Sequence, residues 1–137
     1  MNNSEQRLHD VFFYGLYMDE DILRSKNVEP RDRRIAVAHG YELRIGKMAT
    51  LLRKDAAEAY GIVYALTHEE IDLLYLHSGL TAYASEALMV QLQDGASIAV
   101  LCSNLRKSPA NDECNDAYYQ KLVTCMKRYK LPLPKRT

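Results

Sequence analysis

The sequence lacks an excess of either charge, because 18 Lys and Arg residues balance 18 Asp and Glu residues. A net charge near zero gives no general attraction to nucleic acid or to an anionic membrane. It also lacks any apolar stretch approaching the roughly 18 residues that a membrane span needs. Its first ten residues are polar and contain no apolar signal core. We therefore expect a soluble, cytoplasmic protein that binds neither nucleic acid nor membrane.

Cysteine is also scarce, and the three that are present are Cys102, Cys114 and Cys125. An odd number of cysteines without a secretory signal favours reduced thiols. No pair has the close spacing of a zinc or redox motif, and we expect Cys102 and Cys125 to be buried. The sequence contains no glycine-rich phosphate loop, no nucleophile elbow and no clustered metal ligands. We expect neither a metal nor a cofactor.

The length of 137 residues fits one domain with its own core. We place that domain at residues 10–134, after a polar N-terminal segment at 1–9. No repeat or low-complexity segment interrupts it. Hydrophobic residues make up 47% of the chain, as in ordinary globular proteins.

Short apolar and alternating runs predict several strands. Gly40 is expected to form a bulge within the second of them, and Asp94–Gly95 is a hairpin turn signal. Polar segments at 27–34 and 53–58 are expected to be a loop and a turn. The predicted strands are 11–14, 35–45, 49–52, 59–66, 88–93 and 97–101.

Three helices are expected from capping signals and apolar stripes. Asp19 is the predicted N-cap of a short helix that ends near Lys26. The segment 67–70 has the pattern of a capping box and predicts a helix that runs to His77 and stops at Gly79. The last helix is expected from Asp112 until Pro132 and Pro134 stop it, with an apolar stripe of Tyr118, Leu122, Cys125, Met126 and Tyr129. These elements indicate an α+β domain or a small barrel with flanking helices, and periodicity alone does not choose between them.

Six short motifs, in order, resemble the γ-glutamyl cyclotransferase-like family. Residues 13–18 (FYGLYM) resemble its "YGSLM" loop, and residues 67–79 resemble its "T-x-E-E-x-x-x-L-D-x-x-E-G" helix. The other similar segments are 39–43, 59–66, 83–92 and 119–132. The resemblance covers about residues 10–134 and implies an α+β fold, a small mixed β-barrel with helices packed around it.

The family's first loop binds the amino-acid end of a γ-glutamyl group through backbone N–H groups. By resemblance, Gly15, Leu16, Tyr17 and Met18 would do so here, because a strand that turns into a helix exposes such donors. The chain departs from the family pattern in having Leu16 and the bulky Tyr17 where the family commonly has a serine. Acidic residues follow directly at 19–21 and disfavour a second anion nearby.

Cyclisation of a γ-glutamyl group to 5-oxoproline needs a base that takes a proton from the attacking amine. In the family this base is the Glu before Gly in the "L-D-x-x-E-G" helix, and that position holds Ser78 here. His77 and Glu86 are the two candidates that could replace it. If the strand after Gly79 is regular, Tyr83 and Glu86 point to opposite faces, so they would not both line one cavity.

Aromatic residues are almost all tyrosine, with ten Tyr, two Phe and no Trp. A tyrosine offers an apolar ring and one hydroxyl, which suits a polar pocket. Of the tyrosines in segments that the family places near its cavity, we expect only Tyr14 and Tyr83 to line it. The others in those segments are Tyr17, Tyr60, Tyr64 and Tyr75.

Three functions remain open from the sequence. The first is an enzyme that cyclises a γ-glutamyl compound to 5-oxoproline with release of an amine. The second is a family member without cyclisation that binds a small amino-acid-like ligand, and the third is an interaction module. The partner expected in the first two is a small molecule, and the oligomeric state is not set by the sequence.

Overall fold

The computed structural model describes residues 7–133, which form a five-stranded barrel with helices against its outer face. The barrel closes in the order β1-β3-β2-β4-β5, with β1 parallel to β5 and the other pairs antiparallel. This confirms the mixed β-barrel with flanking helices. The strands are β1 Leu8–Phe13, β2 Arg31–Ile45, β3 Ala49–Thr67, β4 Tyr83–Leu92 and β5 Ser97–Leu105. The helices are α1 Glu20–Ser25, α2 His68–Leu74 and α3 Asp116–Arg128, and a 3₁₀ turn spans Leu16–Met18.

Alternation along the strands divides the core in two. Phe12 and Tyr14 belong to a cluster drawn from all five strands, which fills the barrel. Their neighbours Val11 and Phe13 belong to a second cluster, which also contains residues of the helices. In β3, Val63 belongs to the first cluster, and Ile62, Tyr64 and Leu66 belong to the second. The side chains of this strand therefore alternate between the two clusters.

The β2–β3 ribbon is longer than the sequence predicts. The loop predicted at 27–34 is shorter than expected, because β2 begins at Arg31 and pairs there with Ala65. The predicted turn at 53–58 is part of one continuous strand of 19 residues. The register shifts where His39 pairs with Glu58 and Tyr41 with Arg53, so the polar segment is a wide bulge opposite Gly40. Its side chains are mostly exposed, which explains why its composition resembles that of a turn.

The caps of the first two helices are as predicted. Asp19 accepts a hydrogen bond from the Asp21 amide. Thr67 and Glu70 form both bonds of the capping box. The predicted end of α2 at His77 is wrong, because the helix stops at Leu74. The chain then continues through a wider turn, in which the His77 amide donates a hydrogen bond to the Asp72 carbonyl. This turn ends at Gly79, whose φ is +76°.

The last helix begins later than predicted. Asn115, not Asp112, caps α3 by accepting a bond of 3.0 Å from the Tyr118 amide. Its predicted apolar stripe is confirmed, with Leu122, Cys125, Met126 and Tyr129 buried against the outer cluster. Pro134 lies outside the described residues. Cys102 and Cys125 are buried as expected.

No helix within residues 7–133 is long and apolar enough to cross a membrane.

Candidate functional site

A cavity of about 330 Å³ lies where the end of β1 meets the β2–β3 turn, the start of β4 and α3. We call it the tyrosine cavity, because five tyrosines line it: Tyr14, Tyr17, Tyr75, Tyr83 and Tyr118. The rest of its described lining is apolar except for one cation, Lys47. The side chain of Lys47 is exposed, so it lies at the mouth. The remaining lining residues are Phe13, Gly15, Leu16, Ile22, Met48, Ala49 and Leu80.

Helix α3 approaches the loop after β1 very closely. A side chain at Gly15 would place its Cβ 2.3 Å from the hydroxyl oxygen of Tyr118, which is closer than any real contact. The Leu16 amide donates a hydrogen bond of 3.1 Å to that same oxygen. Gly15 therefore allows Tyr118 to close one wall of the cavity.

Three of the cavity hydroxyls donate to backbone carbonyls. Tyr14 donates to Ser103 at 2.7 Å, Tyr83 to Ala49 at 2.5 Å, and Tyr17 to Leu74 at 2.7 Å. These bonds fix the rings and use the three hydroxyl protons. What these three residues present to a ligand is mainly the apolar ring.

The ring of Tyr75 lies between the rings of Tyr17 and Tyr83 and contacts both. Its ring lies 5.6 Å from that of Tyr17 at an angle of 88° and 5.7 Å from that of Tyr83 at 55°. Edge and tilted contacts of this kind are favourable for aromatic pairs. Tyr75 is therefore packed between the rings of Tyr17 and Tyr83.

Burial keeps these phenols neutral. Desolvation raises the pKa of Tyr14 and of Tyr75 well above the ordinary value of 10, and it raises the pKa of Tyr118 to about 12. Desolvation also raises the pKa of Tyr17 and of Tyr83. At physiological pH none of the five is a phenolate, so none is ready to act as a base.

Most residues predicted to bind the substrate do line the cavity. Tyr14, Gly15, Leu16, Tyr17 and Tyr83 all contribute to its wall.

Met18 and Ser78 do not line the cavity. Met18 is fully buried in the outer core, and its carbonyl accepts a bond of 2.7 Å from Tyr64. Ser78 donates to the Leu73 carbonyl at 2.6 Å.

The two candidate bases, His77 and Glu86, do not line the cavity either. Both side chains are exposed. The pairing of β4 with β5 is regular from Tyr83 to Gln91, so Tyr83 and Glu86 face opposite sides of the strand. Neither residue therefore belongs to the cavity wall, and a role for either of them as the base stays a prediction.

Sequence reasoning missed Tyr17, Tyr75, Tyr118 and Lys47 as cavity residues in different ways. Tyr17 was predicted as a loop residue but not as a ring of the wall. Tyr75 lies in a segment that the family places near its cavity, but only Tyr14 and Tyr83 are expected there to line it. Tyr118 is expected from the sequence only as part of an apolar stripe, and no motif singles out Lys47.

The loop after β1 retains two unused donors. The amides of Met18 and Asp19 bond to the carbonyls of Gly15 and Leu16 within the loop. Within residues 7–133, the amides of Gly15 and Tyr17 have no hydrogen-bond partner. A ligand oxygen that reached them would satisfy both.

No group of three or more His, Cys, Asp or Glu side chains in the described part of the chain is placed to hold a metal ion.

Comparison with known proteins identifies the fold. No family model matches the sequence, and no curated protein sequence matches it. Among solved structures, a γ-glutamyl cyclotransferase superposes with a TM-score of 0.73 at 16% identity, over 93% of this chain and 83% of the other. A γ-glutamyl cyclotransferase specific to glutathione from yeast gives 0.65 at 13%, over 96% and 91%. An AIG2-like protein from Mus musculus gives 0.63 at 14%, over 96% and 98%.

These matches define the class: the chain has the γ-glutamyl cyclotransferase-like fold, as the six sequence motifs indicated. Identities of this size show the fold alone, and a fold does not fix the chemistry of its site.

Proposed function

We propose that this protein binds a small molecule in the tyrosine cavity and does not cyclise γ-glutamyl compounds. A volume of about 330 Å³ lies at the lower end of the roughly 300–1,000 Å³ that is usual for ligand sites. A concave, mostly apolar site with a few polar groups is also the usual form of a ligand pocket. The ligand is therefore small.

The observation that carries the proposal is the chemistry of the cavity wall. Among residues 7–133, no Asp, Glu or His lines the cavity. Cyclisation needs a group that accepts a proton from the attacking amine and passes it to the leaving amine. A neutral phenol with a raised pKa does not accept a proton at physiological pH, and Lys47 is a cation at the mouth.

Ligand binding is tested by filling the cavity. Leu80→Trp places a large ring at the wall, whereas the neighbouring Leu76 is 59% exposed and does not line the cavity, so Leu76→Trp is the matched control. A panel of small polar and aromatic metabolites is screened by the shift in melting temperature. We expect a ligand that stabilises the wild type and Leu76→Trp but not Leu80→Trp. A panel in which no compound shifts the wild type, or in which Leu80→Trp responds equally, would overturn the proposal.

γ-Glutamyl cyclisation is the second candidate, favoured by the names of two structural neighbours. Purified protein is incubated with a broad set of γ-glutamyl dipeptides and γ-glutamyl amines, and 5-oxoproline is measured. We expect no product above the uncatalysed rate. Enzyme-dependent 5-oxoproline would show that a base outside the described wall serves the reaction, and it would replace binding with catalysis as the function.

A further inference from the structure

The charges and hydrogen-bond donors around the tyrosine cavity restrict the chemical class of the ligand, whereas the cavity volume restricts only its size. Among residues 7–133, the lining contains one cation, Lys47, and no carboxylate. An ammonium group taken into this apolar wall would lose its hydration without gaining an anionic partner, which is costly. The wall therefore disfavours a ligand that carries a buried ammonium group.

Lys47 is free to interact with a ligand. Its ammonium forms no hydrogen bond or ion pair with the described residues. The pKa of Glu113 is lowered first by hydrogen bonds from the amides of Lys47 and Ala110 and then by the charge of Lys47. Glu113 is thus held by the backbone amide of Lys47 and not by its ammonium, whose donors remain available to a second anion.

Tyr118 offers a second donor in the lining of the cavity. Its oxygen accepts from the Leu16 amide, and the described residues provide no acceptor for its hydroxyl proton. Asn115 joins the backbones of the two residues, because it accepts from the Tyr118 amide at 3.0 Å and donates to the Lys47 carbonyl at 3.2 Å. Desolvation raises the pKa of Tyr118 to about 12, so its hydroxyl stays protonated and able to donate.

We propose that the ligand is a small carboxylate with an aromatic or branched apolar body and no ammonium group. Its body packs on the tyrosine rings, and its carboxylate meets Lys47 and Tyr118 at the mouth. Because it names the ligand class for the same cavity, this inference rests on the proposed function. It differs from a γ-glutamyl ligand, whose amino-acid end carries an ammonium as well as a carboxylate.

An aromatic wall also attracts cations through the faces of its rings. A quaternary or primary ammonium ligand is therefore the opposing hypothesis for the same cavity. Lys47 at the mouth repels such a ligand, whereas it attracts a carboxylate. The sign of the ligand's charge separates the two hypotheses.

Three probes with the same benzyl body and different head groups test the inference: phenylacetate, phenylacetamide and 2-phenylethylamine. Their Kd values are measured at pH 7 by NMR titration of the wild type, Lys47→Gln and Lys121→Gln. Lys121 is an exposed lysine of α3 outside the cavity lining and serves as the control. We expect phenylacetate to bind the wild type about fivefold more tightly than phenylacetamide, with the amine weakest.

In Lys47→Gln the ratio of the phenylacetate and phenylacetamide Kd values falls to near one, and in Lys121→Gln it is unchanged. Tighter binding of the amine than of phenylacetate, or a ratio that Lys47→Gln leaves intact, overturns the inference and leaves the proposed function standing. If none of the three probes binds, the inference is also overturned. The proposed function is then decided separately, by the wider panel and the Leu80→Trp comparison.

Discussion

At the scale of single residues, the carboxylate of Glu70 connects three separate parts of the chain. It accepts bonds from the amides of Thr67 and Glu29, each at 2.9 Å, and it pairs with Arg31 through both guanidinium nitrogens. It therefore joins the start of α2 to the loop after α1 and to the start of β2. The capping pattern predicted the bond to Thr67. The other two partners are distant in sequence, so no local pattern reveals them.

Glu70→Ala should lower the free energy of unfolding by about 2–3 kcal/mol, because it leaves two amides and a guanidinium without their acceptor. The measurement is urea unfolding, with the exposed neighbour Glu69→Ala as the control, for which we expect a few tenths of a kcal/mol. A loss of the same size in both variants would show that only the charge near the helix start matters.

The difference in unfolding free energy between the wild type and Glu70→Ala should also depend on pH. Burial alone would raise the pKa of Glu70, but the bonds from Arg31, Thr67 and Glu29 lower it below its ordinary value of 4.5. A carboxyl whose folded pKa is lowered stabilises the fold above its unfolded pKa, and this contribution is lost as the pH falls through the folded pKa. The difference between wild type and Glu70→Ala should be full above pH 4.5 and shrink below it. A difference that grows on acidification would contradict the assigned contacts.

Gly15 and Tyr118 form a second residue pair whose coupling is measurable. In Gly15→Ala the new Cβ meets the Tyr118 hydroxyl at 2.3 Å, whereas the next ring atom, Cζ, lies at 3.6 Å, an ordinary contact. Gly15→Ala should therefore cost about 1–2 kcal/mol in the wild type, through displacement of Tyr118 and loss of its bond to Leu16. In a Tyr118→Phe background it should cost clearly less. A double-mutant cycle of unfolding free energies measures this, and equal costs in the two backgrounds would refute the close contact.

At the scale of elements, the strands that alternate cleanly and the helices with strong caps could be predicted from the sequence. What could not be predicted was how far pairing extends. The exposed bulge at 53–58 resembles a turn in composition, but it belongs to β3, because its ends pair with His39 and Tyr41. The early end of α2 coincides with the entry of Tyr75 into the cavity wall, a tertiary position that no local pattern reveals.

Asn115 couples two elements, because it caps α3 and holds the β2–β3 turn through the Lys47 carbonyl. Asn115→Ala should lower stability by about 1 kcal/mol as a lost helix cap. It should also speed hydrogen exchange of the Tyr118 amide, whose acceptor it removes. Asn111→Ala, at an exposed position in the preceding loop, is the control and should change neither. Unchanged exchange at Tyr118 would contradict the cap.

At the scale of the whole molecule, the motifs predicted the barrel and the loop that forms one side of the cavity. They did not predict that tyrosines from the loop after β1, from β4, from α3 and from the segment after α2 would meet there, because such convergence depends on the closure of the barrel. His77 and Glu86 lie near the motif's Glu position in sequence, but both are exposed in the folded chain. The three neighbours share the fold at 13–16% identity, so the residues of the cavity wall can differ between this chain and theirs.

The central claim is that the tyrosine cavity is a ligand site. The most direct measurement is a ¹H–¹⁵N NMR titration of the whole protein with a compound that raises its melting temperature. The unpaired amides of Gly15 and Tyr17 and the amide of Lys47 are the reporters. We expect these three signals to move with one common Kd while signals of the exposed segment 53–58 stay in place. Saturable shifts that lie elsewhere, with Gly15, Tyr17 and Lys47 unmoved, would contradict the claim.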